Sequence, residues 1–98
     1  MQIKLSSKHM ELTGAIQDYA RRKAEKLDRF FDRIQQIEVV IDRTRNGYYT
    51  EIITEIEHHD PIVAHGDNLD LYASIDQGID RSQRQLTDHK NRLKDHKH

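Results

Sequence analysis

The sequence predicts an α+β domain of element order β-α-β-β-β-α, a four-stranded sheet with two helices packed on one face. Three observations carry this. Apolar residues recur with a helical period over two long stretches, 14–34 and 69–94. Between them lie three β-rich segments, broken by an Asn-Gly turn and by the only proline. One further alternating segment precedes the first helix.

Taken in order, Gln2-Ile3-Lys4-Leu5-Ser6 alternates polar and apolar residues as a half-buried strand does, and Ser6-Ser7-Lys8-His9 reads as a loop. Thr13 is placed to cap a helix over Gly14–Ile34. On that helix Ile16, Tyr19, Ala20, Leu27, Phe30, Phe31 and Ile34 share one broad face, and Lys23 falls inside the apolar arc, from which it must reach out to water. Gln36–Thr44 alternates through Ile37, Val39 and Ile41; Arg45-Asn46-Gly47 turns; Tyr48–Glu57 sets Thr50, Ile52, Thr54 and Ile56 on one face. His58-His59-Asp60-Pro61 breaks the chain before a short strand, Ile62–His65, which Gly66-Asp67-Asn68 ends. A second helix over Leu69–Lys94 keeps Tyr72, Ile75, Ile79, Leu86 and Leu93 on one face, with Ser82 in the gap and Gly78 leaving room for close packing. Residues 95–98 are expected to fray, so 1–94 forms a single domain. A right-handed crossover through the first helix sets strand one parallel to its neighbour.

With 98 residues, 35% of them apolar, the chain can build one modest core. Its longest apolar runs are three residues, as at Val39-Val40-Ile41, so neither a membrane-spanning helix nor a secretory signal is expected. Cysteine is absent, which excludes disulfides, thiolate metal sites and thiol nucleophiles, and a reducing cytoplasm is the expected location. The net charge of −1 hides a zoning: residues 1–35 hold 8 basic and 5 acidic groups, 36–70 hold 2 and 8, and 71–98 hold 6 and 4. If both helices share a face, the molecule is positive on one side and acidic on the sheet.

No Gly-rich phosphate loop, nucleophile elbow or paired-carboxylate site stands out, and no enzymatic activity is expected. His58, His59 and His65, with Asp60, are the only metal candidates. Adjacent histidines on a strand point to opposite faces, so polar surface histidines are the better reading; no metal and no cofactor is predicted.

The order of several short motifs resembles a known family. Met10-Glu11-Leu12-Thr13, then Lys23-Ala24-Glu25-Lys26-Leu27 with Phe30, Phe31, Asp32, Arg33 and Ile34, then Asp70-Leu71-Tyr72-Ala73-Ser74-Ile75-Asp76, then Ile79-Asp80-Arg81, Arg84-Gln85-Leu86 and His89-Lys90 are similar to the short ribosome hibernation-promoting factors, the family that includes protein Y. The resemblance implies a fold akin to the double-stranded-RNA-binding domain. It implies binding to the small ribosomal subunit and its 16S-type RNA in the channel used by messenger and transfer RNA, which blocks initiation and preserves idle ribosomes under stress. In some bacteria the short form also supports ribosome dimers with a second small protein. Two positions depart from the pattern: Asp88 stands where a basic residue is frequent, and Gly78 replaces a bulkier apolar one.

The residues make their own case for RNA. Arg22, Lys26, Arg29 and Arg33, spaced 4, 3 and 4, form one stripe about 16 Å long on the first helix. Arginine gives bidentate phosphate contacts and lysine a point charge. Arg81, Arg84, Lys90, Arg92 and Lys94 give a second basic surface. Of these cations Lys23, Lys26, Arg81, Arg84, Lys90 and Lys94 lie in the family pattern, whereas Arg22, Arg29 and Arg33 rest on the stripe. The competing reading is a solvated helix face neutralised by pairs such as Asp18–Arg22 and Glu25–Arg29. Tyr19, Phe31 and Tyr72 read as core, Tyr48 and Tyr49 as hairpin packing, and His89, His96 and His98 as RNA-facing or frayed. The other functional class is a protein-interaction module that docks a basic partner on the acidic sheet, without RNA.

Overall fold

A computed structural model describes residues 1–95, and of Lys94 and Asp95 the backbone alone. The order is β1 (Gln2–Lys8), α1 (Gly14–Phe30), β2 (Ile34–Thr44), β3 (Gly47–Ile56), β4 (Ile62–Asn68) and α2 (Leu71–Asp95). The strands lie in sequence order in one sheet; β1 is parallel to β2 and the other neighbours are antiparallel. The predicted fold class is the observed one. Of the tail expected to fray, Asp95 closes α2 and 96–98 lie outside the described residues.

One face of the sheet is the core. Ile37, Val39 and Ile41 of β2, Thr50, Ile52, Thr54 and Ile56 of β3, and Ile62 and Ala64 of β4 are buried beneath Ile16, Ala20, Ala24 and Leu27 of α1 and Ile75, Ile79 and Leu86 of α2. The period-2 pattern of the strands meets the helical period of α1 and α2 across this layer. Ile3 and Leu5 of the edge strand β1 pack against its margin. Thr50 and Ser74 bring hydroxyls into the core as a bonded pair 2.8 Å apart, and Ser82 donates to the Gly78 carbonyl at 2.8 Å. Thr54 has no such partner among the described residues: its Oγ1 is buried without a hydrogen bond there. Thr54→Val keeps the shape and removes a desolvated hydroxyl, so it is expected to raise stability by about 1 kcal/mol, read as a higher urea midpoint at unchanged m-value.

Four boundaries differ from the sequence expectation. β1 continues through Ser7 and Lys8, paired with Ile41 and Asp42, where a loop was expected. α1 stops at Phe30, not Ile34. Its start is as read, with Thr13 Oγ1 accepting from the Ile16 N–H at 3.3 Å. At its end Phe31 is extended (φ −144°, ψ 119°) and Ile34 pairs with Ile56. Phe31 and Ile34 are buried as expected, but as the entry to a strand; a helical repeat and a strand entry share these apolar positions. α2 begins at Leu71, where Asp70 Oδ2 accepts from the Ala73 N–H at 2.9 Å, leaving Leu69 80% exposed. Tyr72 is not core either: it is 37% exposed and meets the edge of the Tyr19 ring, centroids 4.8 Å apart.

The fourth difference concerns β4, which runs on through Gly66 to Asn68 where the strand was expected to end. Gly66 lies under α2. A Cβ there would run into the Ser74 carbonyl oxygen and lie 2.8 Å from both Gln77 Cβ and Gly78 N. β4 is also an edge strand, and α2 covers its edge. Gln85 Nε2 donates to the Val63 carbonyl (3.2 Å), Arg81 Nη1 donates to the His65 carbonyl (2.7 Å), and Gln77 Oε1 accepts from the Asp67 N–H (3.1 Å). Side chains one helical turn apart thus match alternate residues of the strand, occupying groups that would otherwise recruit another strand.

Candidate nucleic-acid interface

The outward side of α1 carries the expected cations. Arg22, Lys26 and Arg29 are exposed. Among the described residues the contacts between basic side chains and carboxylates are His9–Asp42, Lys23–Asp76 and His58–Glu57, those of the histidines being ionic only when the ring is protonated, so none of the three cations is paired. The Asp18–Arg22 and Glu25–Arg29 pairs of the competing reading do not form; Arg22 Nε instead donates to the Asp18 carbonyl at 3.4 Å. The stripe is shorter than expected. Arg33 lies beyond the end of α1, exposed in the connection to β2, so its place on the helix is corrected.

Other predicted cations are held by the fold. Lys23 is half-buried, with Nζ 3.3 Å from Asp76 Oδ1 and 5.4 Å from the Tyr19 ring centre. The Tyr19 hydroxyl donates to the same oxygen at 2.7 Å. Bonding to Asp76 raises the Lys23 pKa and is also the main cause of the raised Tyr19 pKa. The group clasps α1 to α2. Lys90 Nζ donates to the Phe30 carbonyl at 3.2 Å and sits 4.6 Å from the Phe30 ring centre, placing a cation at the negative end of the α1 dipole. Arg81 binds the β4 edge. Arg84 and Arg92 are exposed on α2 with no ion-pair partner among the described residues. The Lys94 side chain lies outside the described residues.

The predicted metal candidates are not brought together. His65 stacks on Tyr49 with centroids 5.0 Å apart, while His59 packs on His89 at 4.3 Å. His58 pairs with Glu57 at 3.2 Å, and no set of three ligating side chains is arranged to hold a metal ion among the described residues.

His89 corrects an expectation. It is 6% exposed, set edge-on to Phe31 at 5.5 Å, and is neither solvent-facing nor frayed. Burial, followed by the neighbouring charges of His59, Arg92 and Arg33, lowers its pKa. The unfolded chain therefore takes up this proton first. Stability from His89 is full above about pH 6.5 and is lost as pH falls through its lower folded value. Urea midpoints are expected to drop as pH falls below about 6.5, and His89→Gln to flatten that dependence; an equal slope in the variant would assign the pH effect elsewhere.

The face of the sheet away from the helices carries Glu38, Asp42, Glu51, Glu55 and Asp67 against Lys4 and Lys8. Exposed cations on the helical side thus oppose excess carboxylate on the sheet.

A four-stranded sheet backed by two cation-bearing helices is a small α+β domain whose candidate site is an electrostatic surface. The chain belongs to the sigma 54 modulation protein / S30EA ribosomal protein family, which it matches over residues 3–94. It is 36% identical over 96 residues to a ribosome hibernation promoting factor of Escherichia coli (strain K12), covering 98% of this chain and 100% of that one. It is 32% identical to a protein of the same name from Azotobacter vinelandii, covering 92% and 83%. Among solved structures it is similar to the Thermus thermophilus Protein Y N-terminal domain, with TM-score 0.78, 32% identity, and 88% and 96% coverage. A ribosomal subunit interface protein from Coxiella burnetii shares the fold, with TM-score 0.82 at 18% identity over 93% and 99% of the two chains. The role named for the curated relatives, ribosome hibernation, is not a catalytic one.

Proposed function

We propose that this protein is a ribosome hibernation factor that acts in the cytoplasm. It binds small-subunit ribosomal RNA in the channel for messenger and transfer RNA, inhibits translation and preserves idle ribosomes. The observation that carries the reading is the exposed row Arg22, Lys26 and Arg29 on α1, without ion pairs among the described residues, opposite an acidic sheet face. Exposed guanidinium and ammonium groups release counterions when they neutralise phosphate. The acidic face repels RNA and so orients the encounter. Arg84 and Arg92 on α2, and Arg33 beside the end of α1, extend the contact. Lys23, Arg81 and Lys90 act chiefly by holding the two helices and the sheet edge in place. The names of the relatives support the ribosome as partner.

Cosedimentation with purified small subunits at two salt concentrations tests this. The expected result is saturable binding near one per subunit that weakens with salt, with a log–log slope of roughly −0.7 to −0.9 per neutralised phosphate. No binding at low salt, or binding indifferent to salt, would favour a protein partner on the acidic sheet.

A further inference from the structure

The α1 row ends at a hollow. Where α1 gives way to β2, a cavity of about 500 Å³ opens between the helix end and α2, lined by Arg29, Phe30, Phe31, Arg33, Lys90 and Leu93, with Asp32 also on its wall. Its lining combines half-buried Phe30 and Leu93 with three cations against one carboxylate. Phosphate contact alone needs only a convex charged surface such as the rest of α1. A concave aromatic lining that continues a cationic row is what single-stranded nucleic acid uses to stack a base beside its backbone.

We propose that this hollow takes one unpaired nucleotide, its base against Phe30 and its phosphate toward Arg29 and Arg33. The proposal rests on the RNA reading and deepens it, since paired bases are stacked within a duplex and only an unpaired base can enter. Lys90 fits the role. Its ammonium lies 4.6 Å from the Phe30 ring centre, anchored on the Phe30 carbonyl at 3.2 Å. A base packed at the ring edge, beside the ammonium, brings its π-face to that cation. Arg33, free of ion pairs among the described residues, can turn to the phosphate.

The test is an NMR titration of the isolated full chain with adenosine 5′-monophosphate, ribose 5-phosphate and, as a mimic of an apolar protein side chain, N-acetylphenylalanine amide. The nucleotide is expected to shift the Phe30 ring resonances saturably and to bind about tenfold more tightly than the sugar phosphate, the factor one stacked base supplies. Phe30→Leu, which keeps the apolar packing, is expected to erase that difference. Arg33→Gln, away from the core, is expected to weaken both phosphates alike. Equal binding of nucleotide and sugar phosphate, shifts that leave Phe30 untouched, or saturation by the phenylalanine amide alone would overturn the assignment. The ribosome reading fails separately: a chain that ignores small subunits yet binds the nucleotide at Phe30 loses its proposed partner and retains this site.

Discussion

Reversing Lys26 and Arg29 to glutamate together is expected to abolish cosedimentation with small subunits while the domain stays folded. Both side chains are exposed and neither pairs with a carboxylate among the described residues, so no internal contact is lost. Glutamate is nearly as good a helix former as lysine or arginine. The internal penalties are small: an acid in the last turn of α1, about 0.3–1 kcal/mol against the dipole, and for Arg29→Glu a like-charge i,i+4 neighbour in Glu25, about 0.2–0.5 kcal/mol. For RNA the change is larger. Two counterion-releasing contacts disappear, lowering the salt slope by roughly 1.4 to 1.8, and two anions now face phosphate. At about 1.4 kcal/mol for each lost charge-assisted contact, affinity drops about a hundredfold before repulsion is included. The charge-matched control is Lys4→Glu with Lys8→Glu on β1, exposed on the far side of the sheet. Because it changes net charge equally, it separates a local interface from bulk electrostatics. Affinity held within a few-fold in the control and lost in the α1 variant locates the contact; affinity kept in the α1 variant removes α1 from the interface.

The same logic warns against testing the wrong cations. Lys23, Arg81 and Lys90 lie in the motif pattern that resembles the family, yet each is bonded within the fold: to Asp76, to the His65 carbonyl and to the Phe30 carbonyl. Replacing any of them alters the helix clasp, the β4 edge or the α1 terminus before it alters RNA. Lys26 and Arg84 share that pattern and are exposed without ion pairs among the described residues. A motif residue can thus be retained for the scaffold that presents a site.

Periodicity made much of this legible. Alternation in β2 and β3 and the helical repeats of α1 and α2 name nearly the whole core, because each element buries one face and its period shows which. The Thr13 cap and the gap at Ser82 were readable for the same local reason. What was not legible depends on partners remote in sequence. Phe31 and Ile34 satisfy a helical repeat and a strand entry equally well; pairing with Ile56 decides. Lys23 gave itself away only as a cation inside an apolar arc, and its partner Asp76 lies 53 positions on. His89 reads as one more polar residue near a helix end, whereas in the fold it is buried with its ring edge-on to Phe31 and His59, both remote in sequence.

Gly66→Ala is expected to destabilise the protein by about 3 kcal/mol, at the upper end of overpacking costs. A turn glycine on the surface would accept alanine at small cost. Here the added methyl would run into the Ser74 carbonyl oxygen and lie 2.8 Å from Gln77 Cβ and Gly78 N. These are backbone atoms and a Cβ of an intact helix, so no side chain can swing away. Relief requires α2 to lift from β4, opening the contacts of Ile75 and Ile79 with the sheet. Gly78→Ala is the informative comparison. Its Cβ would meet Ile52 Cγ1 at 3.0 Å and Gly66 N at 3.5 Å, a side-chain neighbour that can adjust, and it gains about 1 kcal/mol of helix propensity. Thermal unfolding should therefore show Gly66→Ala falling by more than about 10 °C, at roughly 4–8 °C per kcal/mol for a domain of this size, with Gly78→Ala near wild type. Equal losses in the two variants would mean that the helix tolerates no added volume anywhere on this face. A wild-type midpoint for Gly66→Ala would mean that the close approach does not fix α2. In that case the spacing between the α1 cations and Arg84 is set elsewhere, by the Asp76 clasp joining the helices and the side chains that bind the β4 edge.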